Sequence, residues 1–245
     1  MDRLIYTAMT GAKYLLERQA TLAHNLANSS TTGFRADTVG LRAVPTTGQQ
    51  AGTRVFTVET TTGSDLSQGP LISTNRNLDV AVQGQGWLVV QGSDGTDAYT
   101  RAGSLQIGPD GTLQLPSGLQ VQGTGGPLTM PADAQGVNVA ADGTVSVKSA
   151  SSKTPTTIGQ LKLVNPPAAD LTKGLDGLFR LKSGDSADVD ASVRVSGGTL
   201  EGSNVNVVES MVGMISAARQ FELQMKMLSS AEQNEQKAGT VLSAA

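Results

Sequence analysis

The sequence has 245 residues, a formal net charge of −3, a single histidine and no cysteine. The missing cysteine removes disulfides, thiolate zinc sites and thiol nucleophiles together, and the acidic balance supplies no basic face to neutralise phosphates, which argues against a nucleic-acid partner. With 29 glycines and only 3% aromatic residues, the composition suits short strands joined by turns rather than an enzyme with an aromatic-lined pocket.

No apolar run is long enough to span a bilayer. The opening Met1-Asp2-Arg3-Leu4-Ile5-Tyr6 lacks the basic start, apolar middle and small-residue cleavage site of a secretory signal. The chain is therefore expected to be cytoplasmic, or exported by a route that cleaves no signal.

Residues 4–28 are predicted to form one helix. Ile5, Ala8, Ala12, Leu15, Gln19, Leu22 and Leu26 advance in alternating steps of 3 and 4, a heptad seam with one polar member, Gln19. So narrow a seam needs a partner helix. The helix ends in Asn25-Leu26-Ala27-Asn28, a Ser/Thr run, and then Gly33-Phe34-Arg35. The polar run stops the helix, and Gly33 can take the positive φ of a helix C-terminus.

Residues 36–75 are rich in Thr, Gly, Gln and Ser, with Pro45 and Pro70 as breakers. They read as an extended connector, with a short strand around Val55, Phe56 and Val58. Residues 76–202 read as an antiparallel β domain, folded as a sandwich or partial barrel. Leu78, Val80 and Val82 alternate with polar or small neighbours, and Trp87-Leu88-Val89-Val90 is a buried strand. Asp94-Gly95, Asp110-Gly111 and Asp142-Gly143 are hairpin signals. Further strands are predicted at 158–164, 178–182 and 192–196.

Residues 206–230 return to helix. Asn206 followed by Glu209 forms a capping-box pattern. Val207, Met211, Met214, Ala218, Phe221, Met225 and Leu228 make a second heptad seam, and Val208, Val212 and Ile215 widen its apolar face. A face that wide has more than one neighbour to cover it. Ala231, Ala238 and Leu242 can carry the helix further. The fold class is α+β: an antiparallel β domain in the middle of the chain, with the N- and C-terminal helices paired as a coiled coil. Residues 1–35 carry four Lys/Arg and two acids, and residues 205–245 three and four, so charge favours that pairing slightly. The assembly domain would comprise 1–35 and 203–245, joined through the 36–75 connector to the β domain at 76–202.

The residues of a catalytic or cofactor site do not assemble in the sequence. His24 has no acid at helical spacing and reads as a surface or packing histidine. Gly84-Gln85-Gly86 is followed by a strand, not a helix, so it is a turn and not a nucleotide loop. Asp185, Asp188 and Asp190 lack the glycine and closing glutamate of a calcium loop. Met211, Met214, Met225 and Met227 read as helix packing rather than an adaptable groove. No enzyme activity, metal or cofactor is expected.

Four stretches together, in order, resemble the flagellar rod family, among the rod, hook and hook-associated proteins of the bacterial flagellum. They are Met1–Ala12 leading to Asn25, Leu26, Ala27, Asn28, Gly33, Phe34 and Arg35; Asn77–Trp87, similar to Leu-Asp-x-Ala-x-x-Gly-x-Gly-Phe; Tyr99–Ser104 before the Asp110-Gly111 turn; and Leu200–Asn206 with Glu209, Met211, Arg219, Phe221, Glu222 and Lys226. The chain departs from the pattern at Trp87, where Phe is usual, and at Ala102, where an acid is usual. The resemblance implies a structural subunit of the basal-body rod, on its proximal side, with the distal rod as the alternative. It implies terminal helices that self-assemble into a drive shaft across the periplasm, and partners that are other copies, other rod proteins and the flagellar type III export apparatus. It implies export without a cleaved signal, no nucleic acid and no small-molecule substrate.

Two other readings stand beside it. A β adhesion module on a coiled-coil stalk needs only one helical end and usually an anchor. An extracytoplasmic glycosidase needs paired acids in an aromatic cleft, and one Trp, three Tyr and four Phe line little.

Overall fold

The computed structural model describes residues 2–45, 55–131, 133–149 and 154–243. The chain divides into two compact units: Met1–Ala27 with Asp37–Ser64 and Asn206–Ala245, and Asn28–Ala36 with Asp65–Val205.

The first unit holds helix α1, Asp2–Ala27, and helix α2, Val207–Ser243. No proline interrupts either. The Asn206 side chain accepts a hydrogen bond from the Glu209 N–H (3.2 Å), the N-cap expected of it. Helix α2 runs beyond residue 230 through the Ala-rich continuation. Helices α1 and α2 pack together, and their direction follows from two facing pairs. Gly11 faces Gln224 and Gly213 faces Leu22, so advancing along one helix means retreating equally along the other. They are antiparallel.

The same unit contains strands β1, Asp37–Pro45, and β2, Val55–Ser64. They pair antiparallel from Asp37↔Ser64 to Pro45↔Val55, with an irregularity between Thr38 and Gly40. This replaces the extended connector expected over 36–75. Thr and Val dominate β2, and β-branched residues suit paired strands even where polar Thr hides the apolar alternation. The side chains of Val55, Phe56 and Val58, and residues 46–54, lie outside the described residues.

In the second unit, β3 (Leu71–Ser73) pairs with Thr199–Glu201. Strand β4, Val80–Gln83, pairs with Arg194–Gly197. Strands β5, Trp87–Gln91, and β6, Asp97–Thr100, form the hairpin signalled by Asp94-Gly95. They lie inside a five-stranded antiparallel sheet with Leu163–Val164, Phe179–Leu181 and Leu171–Lys173. Asp110-Gly111 turns Gln106–Ile107 into Leu113–Gln114, and Asp142-Gly143 turns Ala134–Val139 into Thr144–Ser149.

The predicted strand at 158–164 is two. Thr156–Gln160 joins the Ala134–Val139 and Thr144–Ser149 pair, and Leu163–Val164 joins β5. Among the described residues the strands divide into one five-stranded sheet, one three-stranded sheet and several pairs, and the five- and three-stranded sheets both contribute side chains to one core. Strand β5 explains its unbroken apolar run. Successive side chains point to opposite faces. Leu88 and Val90 enter a core with Val80, Val82, Leu105, Leu113 and Val145. Trp87 and Val89 enter a second cluster with Tyr99, Val164 and Phe179.

Candidate assembly site

The first element of the site is the helix pair. Of the predicted α1 seam, Ala12 and Leu15 are buried, and Gln19, Leu22 and Leu26 are half-buried. Ile5 and Ala8 fall outside the residues whose side chains are described. On α2 the buried positions are Ser210 and Ala217, flanked by the half-buried Gly213, Met214, Phe221, Gln224 and Leu228. Met214, Ala218, Phe221 and Leu228 belong to the predicted seam, and all four are half-buried. Val207, Met211 and Met225 are exposed (38%, 47% and 48%). The inward face is therefore displaced from the predicted stripe toward smaller residues.

The displacement leaves an apolar strip outside. Val208, Met211, Val212 and Ile215 are exposed by 70%, 47%, 60% and 56%. At 100° per residue they lie on the side of α2 opposite Ser210 and Ala217. On α1, Met9 and Leu16 are exposed as well. Exposed apolar residues contiguous along a helix mark an interaction surface.

The end of α1 is tied to the start of β1. The Asn25 Nδ2 donates to the Asp37 backbone C=O (2.9 Å), and the Asp37 N–H donates to Asn25 Oδ1 (2.8 Å). Asn25 thus offers β1 a reciprocal pair that mimics strand pairing. His24 Nδ1 lies 2.7 Å from Asp37 Oδ2. The acid that helical spacing does not provide comes from the ribbon, and His24 is a positioning contact of this turn.

The second element lies wholly in the second unit. Gly33 has φ +70°, and a Cβ there would stand 2.2 Å from the Arg101 carbonyl carbon, so only glycine fits. Its N–H donates to the Glu201 backbone C=O (2.8 Å). Arg35 Nη1 pairs with Glu201 Oε1 at 2.6 Å, both side chains fully buried. Arg101 Nη1 donates to Glu201 Oε2 (3.0 Å), and its Nη2 donates to the Gly84 C=O (2.7 Å). Burial draws the Arg101 guanidinium below its ordinary pKa, and Glu201 opposes that. Both guanidinium groups lie against the Trp87 ring, at 5.9 Å for Arg35 and 5.3 Å for Arg101. Phe34 is held from the other side by Lys173, whose Nζ sits 4.1 Å from the ring centroid and donates to the Arg35 C=O (2.8 Å).

Asn204 completes the arrangement. Its Oδ1 accepts from the Ala36 N–H (2.7 Å), and its Nδ2 donates to the backbone C=O of Asp65 (2.9 Å) and Ser67 (3.1 Å).

Among the described residues no group of acids and histidine is placed to hold a metal, and no helix is long and apolar enough to cross a membrane. Asp190 is occupied by the Ser192 N–H and hydroxyl, a local turn.

Three protein families match the chain. "Flagella basal body rod protein" covers residues 5–35, "Flagellar hook protein FlgE/F/G D1 domain" 81–147, and "Flagellar basal body rod FlgEFG protein C-terminal" 196–240. The flagellar basal-body rod protein FlgF of Salmonella typhimurium is 45% identical over 99% of both chains. That of Escherichia coli is 44% identical over the same shares. The flagellar basal-body rod protein FlgG of Buchnera aphidicola subsp. Baizongia pistaciae is 31% identical over 95% of this chain and 97% of its own.

The chain belongs to the flagellar basal-body rod protein family. It is a structural subunit of that rod, most similar to FlgF. The rod-protein match ends on Arg35 and the C-terminal match contains Glu201, so the two ends of the family pattern meet in one ion pair. Of the motif residues, Asn25 works in the α1–β1 turn, and Gly33, Phe34 and Arg35 work around Glu201. Leu26, Ala27 and Asn28 finish the helix and begin the turn. Sequence reasoning misses Glu201, Arg101 and Asn204 as partners of the motif. Their position inside family-like stretches is a signal, but nothing local pairs them.

Proposed function

We propose that this rod subunit belongs to the proximal rod and assembles through its terminal helices, with other copies of itself and with other rod proteins. The observation that carries this reading is the outward strip of Val208, Met211, Val212 and Ile215, with Met9 and Leu16 on the partner helix. One antiparallel pair leaves these side chains in water, and coiled-coil packing against neighbouring subunits covers them. The seam is Ile5, Ala8, Ala12, Leu15, Leu22 and Leu26 with Val207, Met211, Met214, Ala218, Phe221, Met225 and Leu228. The helices then form the inner tube, the β-rich residues 76–202 face outward, and the structure carries torque across the periplasm. Export through the flagellar type III apparatus, without cleavage, delivers the subunit. The role requires neither catalysis nor a ligand.

Electron microscopy of basal bodies from a strain lacking this chain tests the reading. Particles that stop at the inner-membrane ring without a shaft support it. Partly built shafts move the subunit to the distal rod, and complete basal bodies with hooks overturn it.

A further inference from the structure

The chain passes between its units four times, at Ala27/Asn28, Ala36/Asp37, Ser64/Asp65 and Val205/Asn206. In the second unit the segments that lead to these passages are tied together, and Glu201 is their common partner. Its backbone takes Gly33, and its Oε1 takes both Arg35 and the Gly69 N–H (3.0 Å). Its Oε2 takes Arg101 from the end of β6. Asn204 joins Ala36 to Asp65 and Ser67. The fit is tight: a Cβ at Gly69 would stand 2.2 Å from the Gly202 carbonyl oxygen.

The charge balance is unusual for a core. Two guanidinium groups share one fully buried carboxylate, and the Arg35 nitrogens make no aligned hydrogen bond among the described residues. The indole face of Trp87 lies against both cations and offsets the surplus charge. Apolar residues of equal volume often match or exceed such a cluster in stability. What apolar packing lacks is direction. The Glu201 carboxylate fixes the Gly69 N–H and Arg101 at defined angles through charge-assisted bonds, its backbone C=O fixes Gly33, and the ion pair holds Arg35 against it.

We propose that Glu201 is the positioning residue of a torque-sharing clasp. It locks Gly33–Ala36, Asp65–Gly69 and Glu201–Asn204 into one body, so that torque is shared by all the passages rather than borne by single strands. This rests on the rod function above.

The test uses the full chain. Trp87 is its only tryptophan, so its emission reports this cluster without contribution from the helices. Glu201→Gln should shift that emission to the red. It should also speed trypsin cleavage after Arg35 by about tenfold or more as the segment opens. Arg35→Met removes the surplus cation and leaves the Arg101–Glu201 pair, so the β unit folds with Trp87 buried. Cells carrying it should build rods, swim normally in dilute medium and lose speed as viscosity rises. Wild-type speed of Arg35→Met at every viscosity overturns the proposal. So does Glu201→Gln with native emission and a protected Arg35. Failure of the rod reading registers separately, as complete basal bodies in the strain lacking the chain.

Discussion

Leu22 lies directly over Gly213. A Cβ built on that glycine would stand 3.1 Å from Leu22 Cδ1, whereas one built on Gly11 would meet the Gln224 amide at an ordinary 3.5 Å. The two glycines sit at different points of the same antiparallel contact, one with room to spare and one without.

Alanine at Gly11 should therefore stabilise the pair. It adds about 0.5–1 kcal/mol of helix propensity and meets only the Gln224 amide at ordinary contact distance. Gly213→Val pushes Leu22 off the partner and adds a β-branched residue to a helix, so it should destabilise. Helicity and thermal midpoint by circular dichroism read both. The opposite ranking would show that α1 and α2 do not meet in this register.

The two faces of α2 can be separated by single charges. Met214→Asp and Leu22→Asp place a carboxylate within the intrachain contact, and should abolish rod assembly while the β unit stays folded. Ile215→Asp alters a side chain already in water, so it should leave the free subunit's helicity unchanged and still block assembly. Circular dichroism of the free chain, set beside electron microscopy of basal bodies, distinguishes them. Rods built normally with Ile215→Asp would mean that the outward strip has no partner.

How much of this is legible in the sequence depends on range. Helices α1 and α2 are legible because a heptad period is local. The hairpins at Asp94-Gly95, Asp110-Gly111 and Asp142-Gly143 are legible because a tight turn demands its own residues. The inward face of α2 is not, because Met214, Phe221 and Leu228 fit two stripes. Size then favours Met211 and Met225 over Ser210 and Ala217, whereas close packing against α1 selects the small side chains. The β1–β2 ribbon is hidden by threonine, which satisfies a strand without marking one face as apolar. The Arg35–Glu201 pair is hidden by separation along the chain: each residue alone is a charge beside a turn, and only the fold joins them.

Gly33 offers a test of that junction from the backbone side. Alanine there must adopt φ +70° and also displace the Arg101 carbonyl carbon at 2.2 Å. The left-handed conformation alone costs about 1–2 kcal/mol, and the overlap raises the total to roughly 3 kcal/mol, near the top of the usual range for one substitution. Urea unfolding followed by Trp87 emission measures it. A change within about 0.5 kcal/mol, as for an ordinary surface site, would contradict the contact.

Acid should loosen the β unit through its turns. Asp94, Asp142 and Asp190 each accept bonds from the N–H and hydroxyl of the Thr or Ser two residues on, and these bonds hold their carboxyls below the ordinary 3.8. The bond from Arg180 does the same for Asp176. A carboxyl whose folded pKa is lowered stabilises the fold above its unfolded pKa and loses that contribution as pH falls through the folded one. Stability should thus be flat through neutral pH, start to fall near pH 3.8, and keep falling below it. Each turn is exposed, so each contribution is small, and the effect is visible in their sum. The urea midpoint of Trp87 emission, followed from pH 6 to about pH 2, should trace this decline. Asn at positions 94, 142 and 190 retains a turn acceptor without a titrating charge, so the triple variant should show a shallower fall. An equally steep fall in that variant would place the acid sensitivity elsewhere in the chain.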